Sequence, residues 1–551
     1  MTAAAIRIRT VDSDPHCIRV FRTGTMIDEI EVPQPETGPV PDQAHGNNQQ
    51  RVARNAGVYL VITLISWCVT FVGLSIVPRC IGEEINGQLV LAGTTVQMVF
   101  TFGGLCLETF LMREIGRDHR QADALVRATM GLRLTTMVAL LVASYFALGS
   151  LHAKPVVMTY GLLWFPGAFI SAMSEPLRQA LAGFERARET SVSDLCVSSS
   201  SIFAIPFLLL SSKTQIVAYG AIVLICAQTI IQAATFFLRA RWLRGVISLR
   251  PLFDATIWVR LIRGGVPFML NNYVSFLYTY ITLLVLNHFM KETAVGEYSQ
   301  SSRLLGTFLI VPSVLAAALL PVLTRMAGQD PKAFLEAKIR VLTVLIVSCL
   351  PVMAGVILLA PPLCHLLYGA HKFVHVAQAL QMGALLLLPL YIVIVVYQIL
   401  VAQNKNGVWS FVMLGTLVLN TGLAWVLVPY TMKSLHNGIV GATWAMTIAE
   451  GTAMVFAFVL MRVNPFAPVL LNRVLRGLAA TAAMALVIVW TRDEVGRLRL
   501  PFTYLALLQL AVPAALGACV FLLLAGLLRA FPPQEQELVV RAFKRRMGRV
   551  A

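Results

Sequence analysis

Charged residues are scarce in this chain. Asp, Glu, Lys and Arg make up 13% of its 551 residues, about half of the roughly 25% that is usual in soluble domains. Hydrophobic residues make up 57%, and the mean hydropathy is +0.75. So little polar surface cannot cover a water-exposed chain of this length, which excludes a series of soluble domains.

The sequence also lacks the short motifs of common catalytic and cofactor sites. It has no GxxxxGK[ST] phosphate loop, so ATP is not hydrolysed on this chain by the usual route. It has no HExxH zinc motif, and its nine cysteines are scattered without a CxxC pair, which leaves them as small apolar packing residues. We therefore predict no catalytic residue, no cofactor and no metal site.

Apolar stretches of about 20 residues fill most of the sequence, and a stretch of that length crosses a bilayer as a helix. Only a helix suits this role, because hydrocarbon offers the backbone no hydrogen-bond partners. We predict fourteen spans: 56–77, 88–112, 125–149, 156–174, 195–212, 216–238, 267–289, 302–323, 341–360, 376–402, 408–428, 438–461, 474–491 and 503–528. The predicted fold class is therefore all-α, a polytopic membrane protein with about fourteen transmembrane helices.

Basic residues exceed acidic ones by 44 to 27, a formal net charge of +17. In a soluble protein this excess would indicate nucleic-acid binding. Here the positions of the basic residues along the chain favour a different explanation. With the N-terminal segment in the cytoplasm, 33 of the 44 basic residues fall on inside segments, 9 on outside loops and 2 in spans. This asymmetry is typical of a multi-pass protein with both termini cytoplasmic. We expect the charge to face membrane lipids, and we predict no nucleic-acid partner.

The segments outside the spans complete the predicted domain order. Prolines at 33–41 and a Gln/Asn-rich run indicate a disordered tail, and no apolar segment precedes residue 56, so no cleavable signal peptide is expected. The predicted order is a disordered cytoplasmic tail at 1–55, an N-lobe of helices 1–6 at 56–238, a cytoplasmic linker with an interfacial helix at 239–266, a C-lobe of helices 7–12 at 267–461, helices 13 and 14 at 474–528, and a basic cytoplasmic tail at 529–551.

An internal repeat with an offset of 209 residues relates the two predicted lobes. The offset carries Arg54 onto Arg263, ahead of the first and seventh spans, and Gly87 onto Gly296. Both halves start from the cytoplasm, so the repeat is parallel. Two parallel six-helix bundles are typical of transporters that bind their ligand near the interface between the bundles.

Polar side chains recur at helical spacing in the first span and in the seventh. These substrate-binding candidates are Thr63, Ser66 and Thr70, followed by Asn271, Asn272, Ser275 and Thr279. Because an unpaired polar group costs free energy in hydrocarbon, we predict that both stripes face a shared, water-filled cleft. The alternative is helix–helix packing through small and hydroxylated residues.

Arg127 and Arg476 lie at the cytoplasmic edges of their spans and are counted as inside residues, which leaves four charged residues within the predicted spans: Glu108, Arg133, Arg303 and Glu450. A charge within a bilayer usually faces a cavity or a partner. Arginine binds phosphate in a bidentate way, so the two arginines predict a cleft for phosphate-bearing headgroups. The two glutamates are candidates for coupling transport to protons or another cation. The alternative for each is an intramolecular ion pair or snorkelling toward headgroups.

Short motifs recur in order along residues 51–462. Pro78-Arg79-x-Ile81-Gly82 ends the first span, and Val295-Gly296-Glu297-Tyr298 lies ahead of the eighth. The second half adds Leu319-Leu320-Pro321, Leu366-Leu367-Tyr368-Gly369 and Gly441-Ala442. Together these segments resemble the signatures of polysaccharide (oligosaccharide-lipid) flippases, the polysaccharide transporter branch of the multidrug/oligosaccharidyl-lipid/polysaccharide exporter superfamily.

The resemblance implies two six-helix lobes around a V-shaped cleft, and a transporter rather than an enzyme. It implies that undecaprenyl-diphosphate-linked oligosaccharide units are moved by alternating access across the bacterial inner membrane, for O-antigen or exopolysaccharide biosynthesis. It also implies a polysaccharide polymerase and export proteins as partners. By position, it makes Arg303 the arginine of the cleft.

Three other functions stay open from the sequence. A peptidoglycan-precursor (lipid II) flippase would also have fourteen spans. A drug/cation antiporter of the same superfamily usually has twelve, and relies on buried acids in its lobes. A polysaccharide polymerase or ligase would carry a large outer loop for catalysis, whereas the longest here, at 361–375, has about fifteen residues.

Overall fold

The computed structural model describes residues 7–10, 17–22, 25–31, 61–62, 65–104, 107–150, 154–313, 331–369, 374–402, 406–497 and 502–532. Two compact units make up the chain, Met1–Leu60 and Val61–Ala551. Thr63 and most of the predicted basic tail lie outside the described residues, as do the side chains of Asn271, Ser275 and Thr279.

The first unit contains a three-stranded antiparallel sheet. Its strands are β1 (Arg7–Thr10), β2 (Cys17–Arg22) and β3 (Thr25–Glu31), paired in the order β1-β2-β3. The register sets Ile8 opposite Val20, and Ile18 opposite Ile30. In these three strands the structure thus differs from the predicted disordered tail. The prolines that suggested disorder begin only at residue 33, whereas β-branched residues favour strands before it.

Helices make up the described part of the second unit. They are α1 (Ile65–Ile81), α2 (Glu83–Gly103), α3 (Glu108–Arg117), α4 (Ala122–Ser150), α5 (Pro155–Gly183), α6 (Ala187–Ser198), α7 (Ile205–Leu210), α8 (Lys213–Trp242), α9 (Ala255–Phe289), α10 (Glu292–Thr307), α11 (Pro331–Tyr368), α12 (Val374–Gly383), α13 (Leu387–Ala402), α14 (Asn406–Leu435), α15 (Gly438–Met461), α16 (Pro468–Gly496) and α17 (Phe502–Leu527). Short 3-10 segments occupy His119–Gln121, Ser199–Ala204 and Ala384–Leu386.

Each of the fourteen predicted spans contains helix. Nine of the described helical segments are long and apolar enough to cross a membrane, or ten if the bent pair His119–Thr136 and Ala139–Ala147 forms one span. The all-α, polytopic class is therefore confirmed, and the chain is a multi-pass membrane protein. The count of fourteen remains a prediction.

The predicted repeat is visible in where helices begin. Helix α2 begins at Glu83 and α10 at Glu292, while α4 begins at Ala122 and α11 at Pro331. Each pair of starts is 209 residues apart, the offset found in the sequence. We call α1–α8 the N-lobe and α9–α15 the C-lobe.

The linker between the lobes is fixed to the N-lobe. The backbone N–H of Leu252 donates to the carbonyl oxygen of Arg127 at 3.0 Å, and the indole of Trp258 donates to that of Ala128 at 2.9 Å. A Cβ at Gly131 would overlap the carbonyl oxygen of Leu252, so α4 and the linker touch backbone to backbone. The predicted interfacial helix is the beginning of α9 and runs unbroken into the seventh span.

Buried apolar side chains form several clusters. Two lie mainly in the N-lobe, around Leu91 and Leu181, and the second of these also includes Leu261 of α9. Another lies mainly in the C-lobe, around Tyr391, and also includes Leu74 of α1. Helices α16 and α17 share a smaller cluster with α11, which includes Met484 and Phe521. Since lipid is as apolar as these side chains, close packing rather than exclusion of water holds such helices together.

Candidate functional site

Two glycines related by the repeat allow α2 and α10 to cross closely. A Cβ at Gly87 would overlap the carbonyl oxygen of Glu292, and a Cβ at Gly296 would lie 2.8 Å from that of Glu83. The contact is symmetric, because the offset that carries Gly87 onto Gly296 also carries Glu83 onto Glu292. Without a Cβ the two backbones can pack directly. The crossing therefore joins the lobes at the predicted outer end of these helices.

Polar side chains reinforce this crossing. The amide of Asn86 donates to the carbonyl oxygen of Gly296 at 3.4 Å and accepts from Gln300 Nε2 at 3.1 Å. The hydroxyl of Tyr368 on α11 donates to Gln300 Oε1 at 3.5 Å. All three side chains are buried, so separating the lobes here would leave polar groups in need of new partners.

Lys154, just ahead of α5, bridges the same end of the lobes. Its Nζ lies 3.1 Å from Glu84 Oε1 on α2 and 3.1 Å from Glu292 Oε2 on α10. Hydrogen bonds to Glu84 and then Glu292 raise the pKa of Lys154 above its usual value. A raised lysine pKa means that the bridge is fully present below the ordinary pKa and is lost as the pH rises through the raised one.

Lys154→Gln should loosen the closed end only slightly, because exposed ion pairs contribute little. We expect labelling of a Thr70→Cys probe from the predicted outer side to rise by no more than about fivefold. Above the raised pKa of Lys154, the parent and Lys154→Gln should be labelled at the same rate, and comparing them at one pH cancels the effect of pH on the probe thiol. Lys433→Gln, predicted on the same face, serves as the control. Equal labelling rates for Lys154→Gln and the parent would contradict the bridge.

A cavity of about 600 Å³ lies between α1, α2, α5, α8 and α10; we call it the central cavity. Its wall combines two tryptophans with hydroxyl and amide side chains: Trp67, Trp164, Thr70, Asn86, Ser198, Ser200, Ser201, Gln228 and Thr307. Among the described lining residues Arg303 carries the only charge. An anionic group entering this cavity would meet a cation and no lining carboxylate.

Arg303 reaches the central cavity from the C-lobe. It lies eleven residues after the start of α10, which is about 16 Å along the helix axis. Its side chain is exposed, whereas neighbouring Leu304 and Leu305 are buried in the C-lobe core. Arg303 therefore lines the central cavity, and its role as the arginine of a substrate cleft stays a prediction.

The serines of the central cavity were not predicted from the sequence. The structure has a 3-10 segment, Ser199–Ala204, between α6 and α7, and a Cβ at Gly73 would lie 3.1 Å from Ser201 Oγ. A 3-10 stretch inside a helical span often marks a functional site or a strained one. The available signal was the serine run itself, which lowers the hydropathy of the fifth predicted span.

A second cavity, of about 460 Å³, lies between α2, α3, α4, α5 and α9; we call it the inner cavity. Arg133 and Glu108 meet there, with Arg133 Nη2 2.9 Å from Glu108 Oε1. Arg133 Nη1 also donates to the carbonyl oxygen of Ala172. This is the intramolecular ion pair that the sequence left open for these two residues.

A third cavity, of about 360 Å³, lies inside the C-lobe and is lined by Glu450, Tyr278 and Tyr298. The Glu450 side chain is buried, and its Oε2 atom has no hydrogen-bond partner among the described residues. A carboxylate placed in this way is a candidate for binding a proton or another cation.

Two described residues of the predicted polar stripes line different cavities. Thr70 lines the central cavity and Asn272 lines the inner one. The Ser66 hydroxyl donates to the carbonyl oxygen of Ile62 at 3.0 Å. Such a bond satisfies the hydroxyl within its own helix, as the packing alternative requires.

A family model for polysaccharide biosynthesis proteins matches residues 52–327, half of the chain. The chain belongs to this family. The match runs from the N-lobe into α10 and the residues beyond it, so it includes both glycines of the crossing and Arg303. The resemblance deduced from short motifs is confirmed.

Solved structures show the fold of the chain. A lipid II flippase MurJ in an inward closed conformation is 16% identical, with a TM-score of 0.66 over 85% of this chain and 98% of that chain. An inward-facing multidrug resistance MATE family transporter of the MOP superfamily is 18% identical, with a TM-score of 0.60 over 74% and 97%. No curated protein matches at the sequence level. The chain thus shares its fold with a flippase and with a transporter.

Proposed function

We propose that this protein moves polyprenyl-diphosphate-linked oligosaccharide units across a membrane by alternating access. The observation that carries the proposal is the central cavity between the lobes, in which Arg303 is the only charge among the described lining residues. A diphosphate is the anionic part of such a substrate, and arginine binds phosphate oxygens in a bidentate way. Tryptophan, serine and glutamine side chains suit the attached sugar.

The polyprenyl chain would stay in the bilayer throughout. Each methylene kept in hydrocarbon avoids a cost of about 0.8 kcal/mol in water, so only the headgroup has to enter the cavity. About 600 Å³ is within the range of roughly 300–1,000 Å³ that is usual for small-molecule sites. The cavity therefore suits the diphosphate and the first sugars rather than the lipid.

Alternating access would use the α2–α10 crossing as a gate. The glycine contact, the Asn86–Gln300 hydrogen bond and the Lys154 bridge close one end of the lobes. Release on that side requires these contacts to open while the opposite ends approach. Glu450 is the better candidate for ion coupling, because Glu108 is already paired with Arg133.

We further propose the bacterial inner membrane as the location, with both termini cytoplasmic, and undecaprenyl diphosphate as the carrier. The product would serve O-antigen or exopolysaccharide synthesis, beside polymerase and export proteins. A lipid II flippase is the second candidate, since the MurJ fold covers 85% of this chain against 74% for the MATE transporter.

Deletion of the gene tests this proposal. We expect the surface polysaccharide to disappear and lipid-linked repeat units to accumulate on the cytoplasmic leaflet, with recovery when the intact chain is supplied. Rescue of a strain depleted of its lipid II flippase would instead support the second candidate. Unchanged polysaccharide in a deletion strain without a redundant homologue would contradict the main proposal.

A further inference from the structure

The inner cavity is lined by equal numbers of acidic and basic side chains. Its described lining includes two carboxylates, Glu108 and Glu175, and two guanidinium groups, Arg133 and Arg178. Arg178 Nη1 lies 3.4 Å from Glu175 Oε1, and Arg178 Nε lies 2.8 Å from Asp194 Oδ1. The two carboxylates would repel a phosphate, and the two guanidinium groups would repel a metal ion. The wall therefore favours an uncharged ligand with many hydrogen-bonding groups.

Arg133 provides a second and independent sign of a ligand. The residue is 6% exposed, and its Nε atom has no hydrogen-bond partner among the described residues, although its two other nitrogens are bonded. A buried donor without an acceptor is costly. The Nε atom is itself covered, so a hydroxyl or carbonyl oxygen of a bound molecule would satisfy it once the guanidinium rotates toward the cavity.

The remaining wall matches the surface of a sugar ring. Phe100 and Phe276 provide apolar surface, while Gln97 and Thr109 present polar groups on exposed side chains. A pyranose has hydroxyl groups around its edge and C–H groups on its faces, so it needs both kinds of wall. Sites of this kind combine apolar contact with a few oriented polar groups.

The inner and central cavities are neighbours along the same two helices. On α2, Val90 lines the central cavity and Gln97 the inner one, a separation of about 10 Å along the axis. On α5, Trp164 lines the central cavity and Ala168 the inner one, a separation of about 6 Å along the axis. One headgroup could therefore occupy both cavities.

We propose that the inner cavity is a subsite for an uncharged sugar of the lipid-linked substrate, while the diphosphate binds at Arg303. This inference rests on the proposed function and deepens it by dividing the substrate between two cavities. Gln97, Thr109 and Arg133 would bond the sugar hydroxyls, and Phe100 and Phe276 would contact the ring faces. The balanced charge makes this subsite selective for neutral sugars.

Binding to the full-length protein in lipid nanodiscs tests the subsite. The probes are farnesyl diphosphate and three farnesyl-diphosphate-linked sugars that carry glucose, galactose or N-acetylglucosamine. We expect at least one sugar probe to bind at least tenfold more tightly than farnesyl diphosphate. The double variant Gln97→Leu with Thr109→Val should remove this advantage and leave the affinity for farnesyl diphosphate unchanged. Both side chains are exposed to the cavity, so the variant leaves no buried group unpaired.

Thr452→Val is the matched control and should keep the advantage, because Thr452 lies on α15, away from the inner cavity, and its hydroxyl bonds to the carbonyl oxygen of Ile448 in its own helix. Farnesyl diphosphate that binds as tightly as all three sugar probes would overturn the subsite and leave the proposed function standing. An equal loss of affinity for the sugar probes and for farnesyl diphosphate in the double variant would also overturn the subsite. Absence of binding by all four probes would overturn the proposed function, and this inference with it.

Discussion

Gly87→Ala is expected to abolish most transport, although it adds a single methyl group. The new Cβ would overlap the carbonyl oxygen of Glu292, and a backbone atom cannot rotate aside as a side chain can. Overpacking of this kind costs about 1–3 kcal/mol. In a two-state equilibrium that is a factor of about 5 to 150 against the closed arrangement of α2 and α10. We expect transport to fall at least about fivefold.

Cross-linking would show whether the closed arrangement is what is lost. Gln300 Nε2 lies 3.1 Å from Asn86 Oδ1, so cysteines at these two positions should be joined by a short bifunctional thiol reagent in the parent protein and poorly in the Gly87→Ala background. Gly296→Ala should act in the same direction, because its Cβ would lie 2.8 Å from the carbonyl oxygen of Glu83. Gly451→Ala and Gly422→Ala are matched helical controls with open space around the new methyl group. Normal transport and cross-linking in Gly87→Ala would contradict a closing role for the crossing.

Arg303→Gln is expected to have the second large effect. Hydrogen bonds to charged groups contribute about 1.5–3 kcal/mol, so the loss of a bidentate contact to a diphosphate should weaken binding roughly 10- to 150-fold. Arg303→Lys keeps the positive charge but lacks the planar guanidinium, so its affinity for the diphosphate should lie between those of the parent and Arg303→Gln. The measurements are the affinity for farnesyl diphosphate in nanodiscs and the flipping rate in proteoliposomes.

Arg497→Gln is the control for charge alone, since Arg497 pairs with Glu494 at the exposed end of α16, with 75% of its side chain accessible. It should leave binding and flipping unchanged. Raised salt should weaken binding of farnesyl diphosphate by the parent and affect Arg303→Gln less. If Arg303→Gln bound as well as the parent, the diphosphate would have to be held elsewhere.

Features that depend on local sequence were predictable. Apolar length placed helices in all fourteen expected spans, and the 209-residue offset recurs between the starts of α2 and α10. Arg303 could be singled out, because a charge is conspicuous in an apolar stretch. Asp254, which accepts from the N–H groups of Thr256 and Ile257 to cap α9, lies at the start of the expected interfacial helix.

Features that depend on tertiary contacts were not predictable. Nothing local to Glu108 indicates that Arg133, 25 residues away, is its partner, and nothing near Lys154 points to Glu292. The polar stripes were expected to share one cleft, yet Thr70 and Asn272 line different cavities, because helix rotation is set by packing. The serines of the central cavity lie in the fifth predicted span, and nothing in their local sequence places them beside α10.

The glycine crossing also bears on how the chain arose. A contact in which one repeat touches the equivalent residues of the other is the contact of a symmetric homodimer. A six-helix ancestor that paired with itself through this glycine would, after gene duplication and fusion, leave the arrangement of Gly87 and Gly296. Fusion freed the copies to diverge, and the position equivalent to Arg303 in the first copy is Thr94. On this account each repeat supplies half of the glycine crossing, whereas the proposed binding arginine belongs to one copy alone.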